Sequence, residues 1–242
     1  MLTRDCRLGG IQITDLPRYF ERVHGRVPID SLKASWLIYG KGFRQTWLRG
    51  FVKRGFDIIV TAVLLPIALP IMVVMAFLIS LDGGTPIIYR QERVGRRGQR
   101  FTLLKFRSMR IDAEHDGQAR WASNDDERNT RIGRFIRRTR LDELPQLFNV
   151  LLGEMSFVGP RPERPHFVDM LSREVRYYDV RHCVKPGLTG WAQLRYPYGA
   201  SVGDAEEKLT FDLFYVKNHG LVFDLMILLQ TVEAVLFHRG AR

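Results

Sequence analysis

The longest continuous apolar pattern in the chain runs from Ile58 to Leu81, with Lys53 and Arg54 before it and Asp82-Gly83-Gly84 after it. As a helix, a run of this length is about long enough to span a bilayer. Pro66 and Pro70 fall in its middle, and each proline removes a backbone donor and crowds the preceding turn. Two geometries fit this pattern: a straight crossing with a tolerated kink, or a helix that enters the lipid and turns back. Proline alone does not separate them. Charge does, because both flanks, including the Arg44–Arg54 approach, are rich in Lys and Arg, and the positive-inside bias places them together on the cytoplasmic side. The expectation is a re-entrant helix over residues 52–82.

The remaining pattern is shorter in period. Up to about Gly50, small apolar clusters alternate with turn residues (Gly9-Gly10, Asp15-Leu16-Pro17, Val27-Pro28), as in the last piece of a longer extension. Phe43 to Phe51, with Trp47 and several cations, suits an interfacial lead-in. Pro86–Gln91 and Phe101–Arg107 predict two strands, with the Gly- and charge-rich segment Glu92–Gln99 as the hairpin turn. Ile111–Asn129, which contains Asp125-Asp126-Glu127, is polar and predicts a loop or lid. A helix is expected over Asp142–Leu152, then a short buried strand at Met155–Val158, then helices over Asp204–Asn218 and Leu221–Phe237. The last helix is apolar and precedes a basic tail (His238, Arg239, Arg242); it calls for a membrane surface or a partner, which leaves a homodimer open. The fold class is a helix-rich, membrane-associated α/β chain of the α+β kind, divided as residues 1–50 and 51–242, with a short β-hairpin and amphipathic helices beside the broken membrane helix.

Charge narrows the function. The chain has 37 Lys and Arg against 26 Asp and Glu, a formal net charge of +11, which points to nucleic acid, an anionic membrane surface or phosphorylated substrates. Cys6 and Cys183 form no disulfide framework, and Met1-Leu2-Thr3-Arg4-Asp5 opens no signal peptide. The 6 histidines and 2 cysteines show no zinc spacing, and no P-loop or dinucleotide fingerprint is present. A nucleic-acid binder would explain the charge but not the proline-broken apolar helix, so no nucleic-acid partner is expected.

The chemistry concentrates in Thr139-Arg140-Leu141-Asp142-Glu143-Leu144-Pro145-Gln146. Pro145 is tolerated only in a helix's first turn, so a helix should begin near Asp142. A helix N-terminus lowers a carboxylate's pKa, keeping Asp142 ionised and nucleophilic. The dipole and the arginines Arg134, Arg137, Arg138 and Arg140 would hold a substrate phosphate, and Glu143 a divalent cation. Asp142 as a plain N-cap beside a solvated arginine face is the competing reading. Gly159-Pro160-Arg161-Pro162-Glu163-Arg164-Pro165 is a stiff loop that presents Arg161 for a bidentate grip on phosphate, or a Pro-rich turn with a surface arginine. Lys185-Pro-Gly-Leu-Thr-Gly-Trp-Ala-Gln193 would line a nucleotide or sugar pocket, with Trp191 as wall and Gln193 as hydrogen-bonding partner, or form a structural turn. Lys105 and Arg107 flank Phe106 on a strand and should share one face.

In order along the chain stand Lys53-Arg-Gly-Phe-Asp57, the broken helix, Arg90-Gln-Glu-Arg-Val-Gly, Lys105-Phe-Arg-Ser-Met, Leu141-Asp-Glu-Leu-Pro-Gln-Leu-Phe-Asn-Val, Met155-Ser-Phe-Val-Gly-Pro-Arg-Pro and Lys185-Pro-Gly-Leu-Thr-Gly-Trp-Ala-Gln. This ordered set, from Lys53 to the C-terminus, resembles the bacterial sugar transferases, the monotopic polyprenyl-phosphate phosphoglycosyl transferases. Trp36-Leu-Ile-Tyr-Gly-Lys-Gly-Phe and Tyr196-Pro-Tyr-Gly-Ala-Ser-Val are similar to an exopolysaccharide-type subgroup with longer N-termini, of which this chain would be a short or truncated member. The resemblance implies transfer of a sugar 1-phosphate from a UDP-sugar to undecaprenyl phosphate, with release of UMP, at the cytoplasmic face of the bacterial inner membrane. It implies Asp142 as nucleophile and Glu143 as Mg²⁺ ligand. Lys105, Arg137 and Arg161 would stand around the phosphates, and Lys53 and Arg54 where the lipid phosphate approaches, among membrane lipids. The family's helix break is often Ser-Pro; here it is Leu69-Pro70 with Pro66 added, so the bend would rest on Pro66 and Pro70 alone. An inactive, membrane-associated homologue is the rival class, in which the Asp-Glu pair merely caps a helix.

Overall fold

The structure, a computed structural model, describes residues 16–29, 46–110, 128–196, 199 and 201–237. The expected lid at 111–127, the motif beginning at Trp36 and the basic tail lie outside the described residues. The elements in chain order are α1 (Leu16–His24), α2 (Trp47–Gly83), β1 (Ile88–Val94), β2 (Arg100–Phe106), α3 (Arg131–Arg138), α4 (Gln146–Leu152), β3 (Ser156–Val158), α5 (Pro165–Glu174), β4 (Gly187–Thr189), α6 (Trp191–Arg195), α7 (Val202–Asn218) and α8 (Leu221–Phe237). Short 3₁₀ turns at Leu141–Glu143 and Tyr178–Cys183 join some of them.

α2 carries both prolines inside one helix of 37 residues, and by length and composition it could cross a membrane. Its buried positions Asp57, Thr61, Ala68, Met72, Met75 and Ile79 recur at helical spacing and form one stripe against the globular body. The rest of its surface, including Ile59, Val63, Ile67, Val73, Phe77 and Leu81, is apolar and exposed. Both ends are tied to the same body by polar contacts. Near the start, Asp57 Oδ1 accepts from Ser156 Oγ at 2.9 Å and from Phe157 N at 3.2 Å. Lys53 Nζ pairs with Asp224 Oδ2 at 2.6 Å, and Arg54 donates to the carbonyls of Val150 and Leu151 at 2.6 and 2.7 Å, capping the C-terminus of α4. At the far end, Asp82 Oδ2 accepts from Ile132 N at 3.1 Å in the first turn of α3.

β1 and β2 form the expected antiparallel hairpin, with Ile88 opposite Phe106 and Arg93 opposite Phe101. Phe101, Leu103 and Phe106 of β2 are buried with the α2 stripe. The free edge of β2 is closed by a side chain: Asn149 Oδ1 accepts from Leu104 N at 3.1 Å, and its Nδ2 donates to Thr102 O at 2.8 Å. Asn149 is 1 % exposed, and its amide supplies one donor and one acceptor as a neighbouring strand would. This clamp fixes α4, and the Asp-Glu motif before it, against Lys105.

β3 and β4 pair in parallel, Ser156 with Gly187 and Val158 with Thr189. A second core cluster gathers Val27 and Ile29 with Phe167, Leu171, Tyr178 and Leu213. Val27 N donates to Thr210 O at 2.9 Å, so this part of the first fifty residues is built into the body. Two readings change here. Trp191 is no pocket wall: it is 5 % exposed, stacks among Phe214 and Phe223, and donates to Gly25 O at 2.7 Å. α3, α5 and β4 were not foreseen. α3 is masked in sequence by its arginines, and β4 is too short and Gly-rich to show a period of two.

Candidate active site

The chain enters the Asp-Glu motif through Arg140, whose φ of 60° is left-handed for a non-glycine residue, a strained conformation of the kind that clusters at functional sites. Leu141–Glu143 then make one 3₁₀ turn, and α4 begins only at Gln146 with Pro145 at its N-cap. The expected helix start near Asp142 is thus corrected. Arg140 in the left-handed region ends one helical path, and the turn that follows is too tight to be the first turn of α4. Neither the turn nor α4 has a side-chain cap hydrogen bond, so Asp142 caps no helix and the competing N-cap reading falls.

The two carboxylates have opposite surroundings. Glu143 Oε1 is met by Arg161 Nη2 at 3.2 Å, Lys105 Nζ at 3.4 Å and Arg140 Nη1 at 3.6 Å. Burial works to raise the Glu143 pKa, but Arg161, Lys105 and Arg140 together overcome it and hold the group down at about 2. Asp142 is 8 % exposed and makes no hydrogen bond or ion pair among the described residues. Burial first, then the neighbouring Glu143 charge, push its pKa up, against the pull of Lys105, Arg161 and Arg137. The expectation that a helix N-terminus lowers the Asp142 pKa is therefore overturned: burial and the Glu143 charge outweigh the surrounding cations. What results is one carboxylate locked in ion pairs and one left unbonded inside a ring of cations.

The cations come from four directions. Lys105 is on β2, Arg137 on α3, Arg140 precedes the turn, and Arg161 stands on the Pro-rich loop. Arg137 Nη1 also donates to Asn129 Oδ1 at 3.0 Å. That loop is held from both sides. Arg181 Nη2 donates to Arg161 O at 2.9 Å, Arg93 Nη1 to Pro162 O at 3.1 Å, and Val94 N to Glu163 O at 3.0 Å. Arg181 and Arg93, which hold this loop, and Asn149, which clamps α4 to β2, are positioned to support the site, and the sequence reading assigned them no role. Only Asn149 carried a signal, as a polar residue inside the apolar helical run over residues 147–152.

Arg107 does not join this ring. β2 ends at Phe106, so the strand alternation no longer governs the next side chain. Arg107 Nη2 turns instead to Gly84 O at 2.7 Å. It lines a cavity with Asp82, Asn129 and Arg134. Gln193 lies on α6, and its Oε1 is buried without a partner among the described residues; no hydrogen bond links it to Asp142 or Glu143. Lys53 and Arg54 are engaged in fastening α2, and Pro66 and Pro70 lie within that helix.

For a metal, the fit is that of a hard cation. Among the described residues no three His, Cys, Asp or Glu side chains gather, but Mg²⁺ is usually held by one or two carboxylates together with substrate phosphates. Glu143, kept ionised with Oε2 outside its three ion pairs, meets that requirement.

A family model described as bacterial sugar transferase matches residues 48–238. The UDP-N-acetylgalactosamine-undecaprenyl-phosphate N-acetylgalactosaminephosphotransferase of Aeromonas hydrophila is 40 % identical over 237 residues, covering 98 % of this chain and 55 % of that protein. The undecaprenyl-phosphate glucose phosphotransferase of Komagataeibacter xylinus is 41 % identical over 194 residues, 78 % of this chain and 36 % of its own length. A putative undecaprenyl-phosphate N-acetylgalactosaminyl 1-phosphate transferase of Bacillus subtilis is 56 % identical over 130 residues, 54 % of this chain and 72 % of that protein. The chain thus spans about half or less of the first two relatives. With most of its length matched, from the root of α2 through the carboxylate pair to α8, the chain belongs to the bacterial sugar transferase family.

Proposed function

We propose that this chain transfers a sugar 1-phosphate from a UDP-sugar to undecaprenyl phosphate and releases UMP, as an initiating membrane step of exopolysaccharide or related glycan assembly. The observation that carries the reading is the contrast between Asp142 and Glu143: a buried carboxylate with no hydrogen bond or ion pair among the described residues, beside one fixed in ion pairs. The names of the relatives, which specify undecaprenyl phosphate and sugar phosphotransfer, support the substrate classes.

In this reading Asp142 Oδ attacks the phosphorus that bears the sugar. The bond from that phosphorus to the UMP oxygen breaks, UMP leaves with the electron pair, and a phosphosugar-aspartate remains. An oxygen of undecaprenyl phosphate then attacks the same phosphorus and the Asp142 carboxylate is expelled unchanged, giving ping-pong kinetics. Lys105, Arg137 and Arg161 are preorganised around the breaking pyrophosphate, so their charge acts without rearrangement at the moment of reaction. Mg²⁺, held by Glu143 and donor phosphate oxygens, would supply further charge neutralisation there.

α2 supports a re-entrant placement at the membrane. A straight helix would carry Asp57 and Asp82 about 37 Å apart along its axis, more than the thickness of a bilayer's hydrocarbon core. Both nonetheless fasten to one body. A re-entrant path, with both ends and the site on the cytoplasmic face of the inner membrane, lets those anchors coexist. The exposed apolar face of α8 (Val222, Leu229, Val232) then meets the membrane surface. Arg54, whose guanidinium stands by the Lys185 ammonium, leaves a cationic spot at the root of α2 for the incoming lipid phosphate.

The test is nucleotide release by detergent-purified protein with Mg²⁺, undecaprenyl phosphate and a panel of UDP-sugars, with Asp142→Asn alongside. UMP from a UDP-sugar, absent in the variant together with any trapped phosphosugar adduct, is expected. Release of UDP, or full activity of Asp142→Asn, overturns the mechanism.

A further inference from the structure

A second constellation of cations lies outside the ring around Asp142. Between the end of α2, the segment after β2 and the start of α3 is a cavity of about 490 Å³, into which Arg107, Arg110, Arg131 and Arg134 contribute against, among the described residues, the one carboxylate of Asp82. That carboxylate is spent on the first turn of α3, where it accepts from Ile132 N. The walls come close because Gly133 brings α3 against the chain after β2: a Cβ there would sit 1.8 Å from Ser108 O.

Arg107 is the unusual member. It is 7 % exposed, its Nη2 is bonded to Gly84 O, and its Nη1 has no hydrogen-bond partner among the described residues. A guanidinium nitrogen taken out of water without an acceptor is unfavourable, and an anionic oxygen entering the cavity would satisfy it. Guanidinium groups match phosphate oxygens in planar, paired geometry. The volume exceeds that of a bare phosphate and lies in the range of sites for small organic ligands. Asn129, one wall of the cavity, holds Arg137, which in turn acts on the charge of Asp142. A phosphate bound here stands one side chain away from the nucleophile's cationic ring.

We propose that this cavity is a binding subsite for a phosphate ester, with Arg107 as its buried anchor and Arg134 at its solvent side. The inference rests on the proposed function for the source of the ester, which is either the nucleotide of the donor or the phosphate of the lipid acceptor.

The experiment is equilibrium binding to the detergent-purified full chain at about physiological salt, with UMP in one arm and undecaprenyl phosphate in mixed micelles in the other. The variants are Arg134→Ala, an exposed residue of α3, and Arg107→Lys, which keeps the charge and loses the fork. Arg173→Ala removes one charge from an exposed position on α5 as control. One probe is expected to bind threefold or more weakly to both cavity variants and normally to the control, and which probe it is names the source. Three outcomes overturn the subsite: both probes within threefold of wild type in Arg134→Ala, weakening confined to Arg107→Lys, or equal weakening in the control. UMP release by the wild type with unaltered binding in the variants discards the subsite and leaves the proposed reaction standing. Weakened binding without nucleotide release from any donor keeps the subsite and discards the reaction.

Discussion

Arg161 reaches Glu143 with its side chain at 3.2 Å while its own backbone carbonyl is held by Arg181 at 2.9 Å. The grip on the site therefore depends on a residue that does not touch it. Arg181 is itself fixed by Asp212 Oδ2 at 2.9 Å and by the Tyr178 hydroxyl at 2.6 Å. Both members of the ion pair are buried, and removing one partner of such a pair costs about 3–5 kcal/mol. Asp212→Asn is expected to lower the melting midpoint. At temperatures where it remains folded, it should raise the KM for the UDP-sugar roughly tenfold while kcat stays within about threefold. Loss of stability with an unchanged KM would reduce Arg181 and Asp212 to scaffolding.

Asp142 must be ionised to attack, and burial with the Glu143 charge holds its pKa above 3.8. Activity should fall on an acid limb placed higher than that of an ordinary aspartate. Glu143→Gln removes the neighbouring negative charge and leaves Lys105, Arg140 and Arg161 uncompensated, and both changes favour the Asp142 carboxylate. The residual UMP release of Glu143→Gln should therefore have its acid limb at lower pH than the wild type. A pH profile of kcat/KM for both proteins checks this, and a limb that stays in place or moves up contradicts it.

The same pair predicts a stability signature of opposite sign. The Glu143 pKa falls from 4.5 to about 2 on folding. A depressed carboxylate contributes stability that is present above its unfolded pKa and is lost as pH drops through the folded one. The contribution, on the order of 3 kcal/mol, should disappear between pH 4.5 and about 2. Denaturation at stepped pH should show Glu143→Gln with a flatter acid limb than the wild type.

What the sequence could and could not reveal follows from the range of the interactions. The long apolar helix, the hairpin and α8 are apolar or alternating patterns, and their limits lie within a few residues of those observed, α2 starting at Trp47 and running unbroken to Gly83. Asp142, Glu143, Lys105, Arg137 and Arg161 were legible as a basic and acidic constellation. The pKa of Asp142 was not, because it depends on burial by elements distant in the chain. Arg107 was assigned to the face of Lys105 by a strand alternation that stops at Phe106. Arg181 and Asp212 act through a backbone carbonyl and a buried ion pair, neither of which leaves a local pattern, and Asn149, which closes a strand edge, shows in the sequence only as a polar residue inside an apolar run.

The root of α2 offers a test that separates anchoring from lipid binding. Lys53 pairs with Asp224 at 2.6 Å, and Tyr215 lies 2.8 Å from the same carboxylate and 2.9 Å from Val158 O. Asp224 is fully buried, so Lys53→Met alone strands a charge and should destabilise by about 3–5 kcal/mol. Replacing both partners by apolar residues is often neutral for a buried pair, and Tyr215 keeps Val158 O as acceptor. The double variant Lys53→Met with Asp224→Leu should recover most of that stability. It should also recover UMP release at saturating undecaprenyl phosphate, because in this geometry the ammonium is turned toward Asp224. A KM for undecaprenyl phosphate that stays tenfold or more above wild type in the restabilised double variant would show instead that Lys53 meets the lipid phosphate directly. Thermal denaturation in detergent, run beside acceptor titrations, reads the two roles independently.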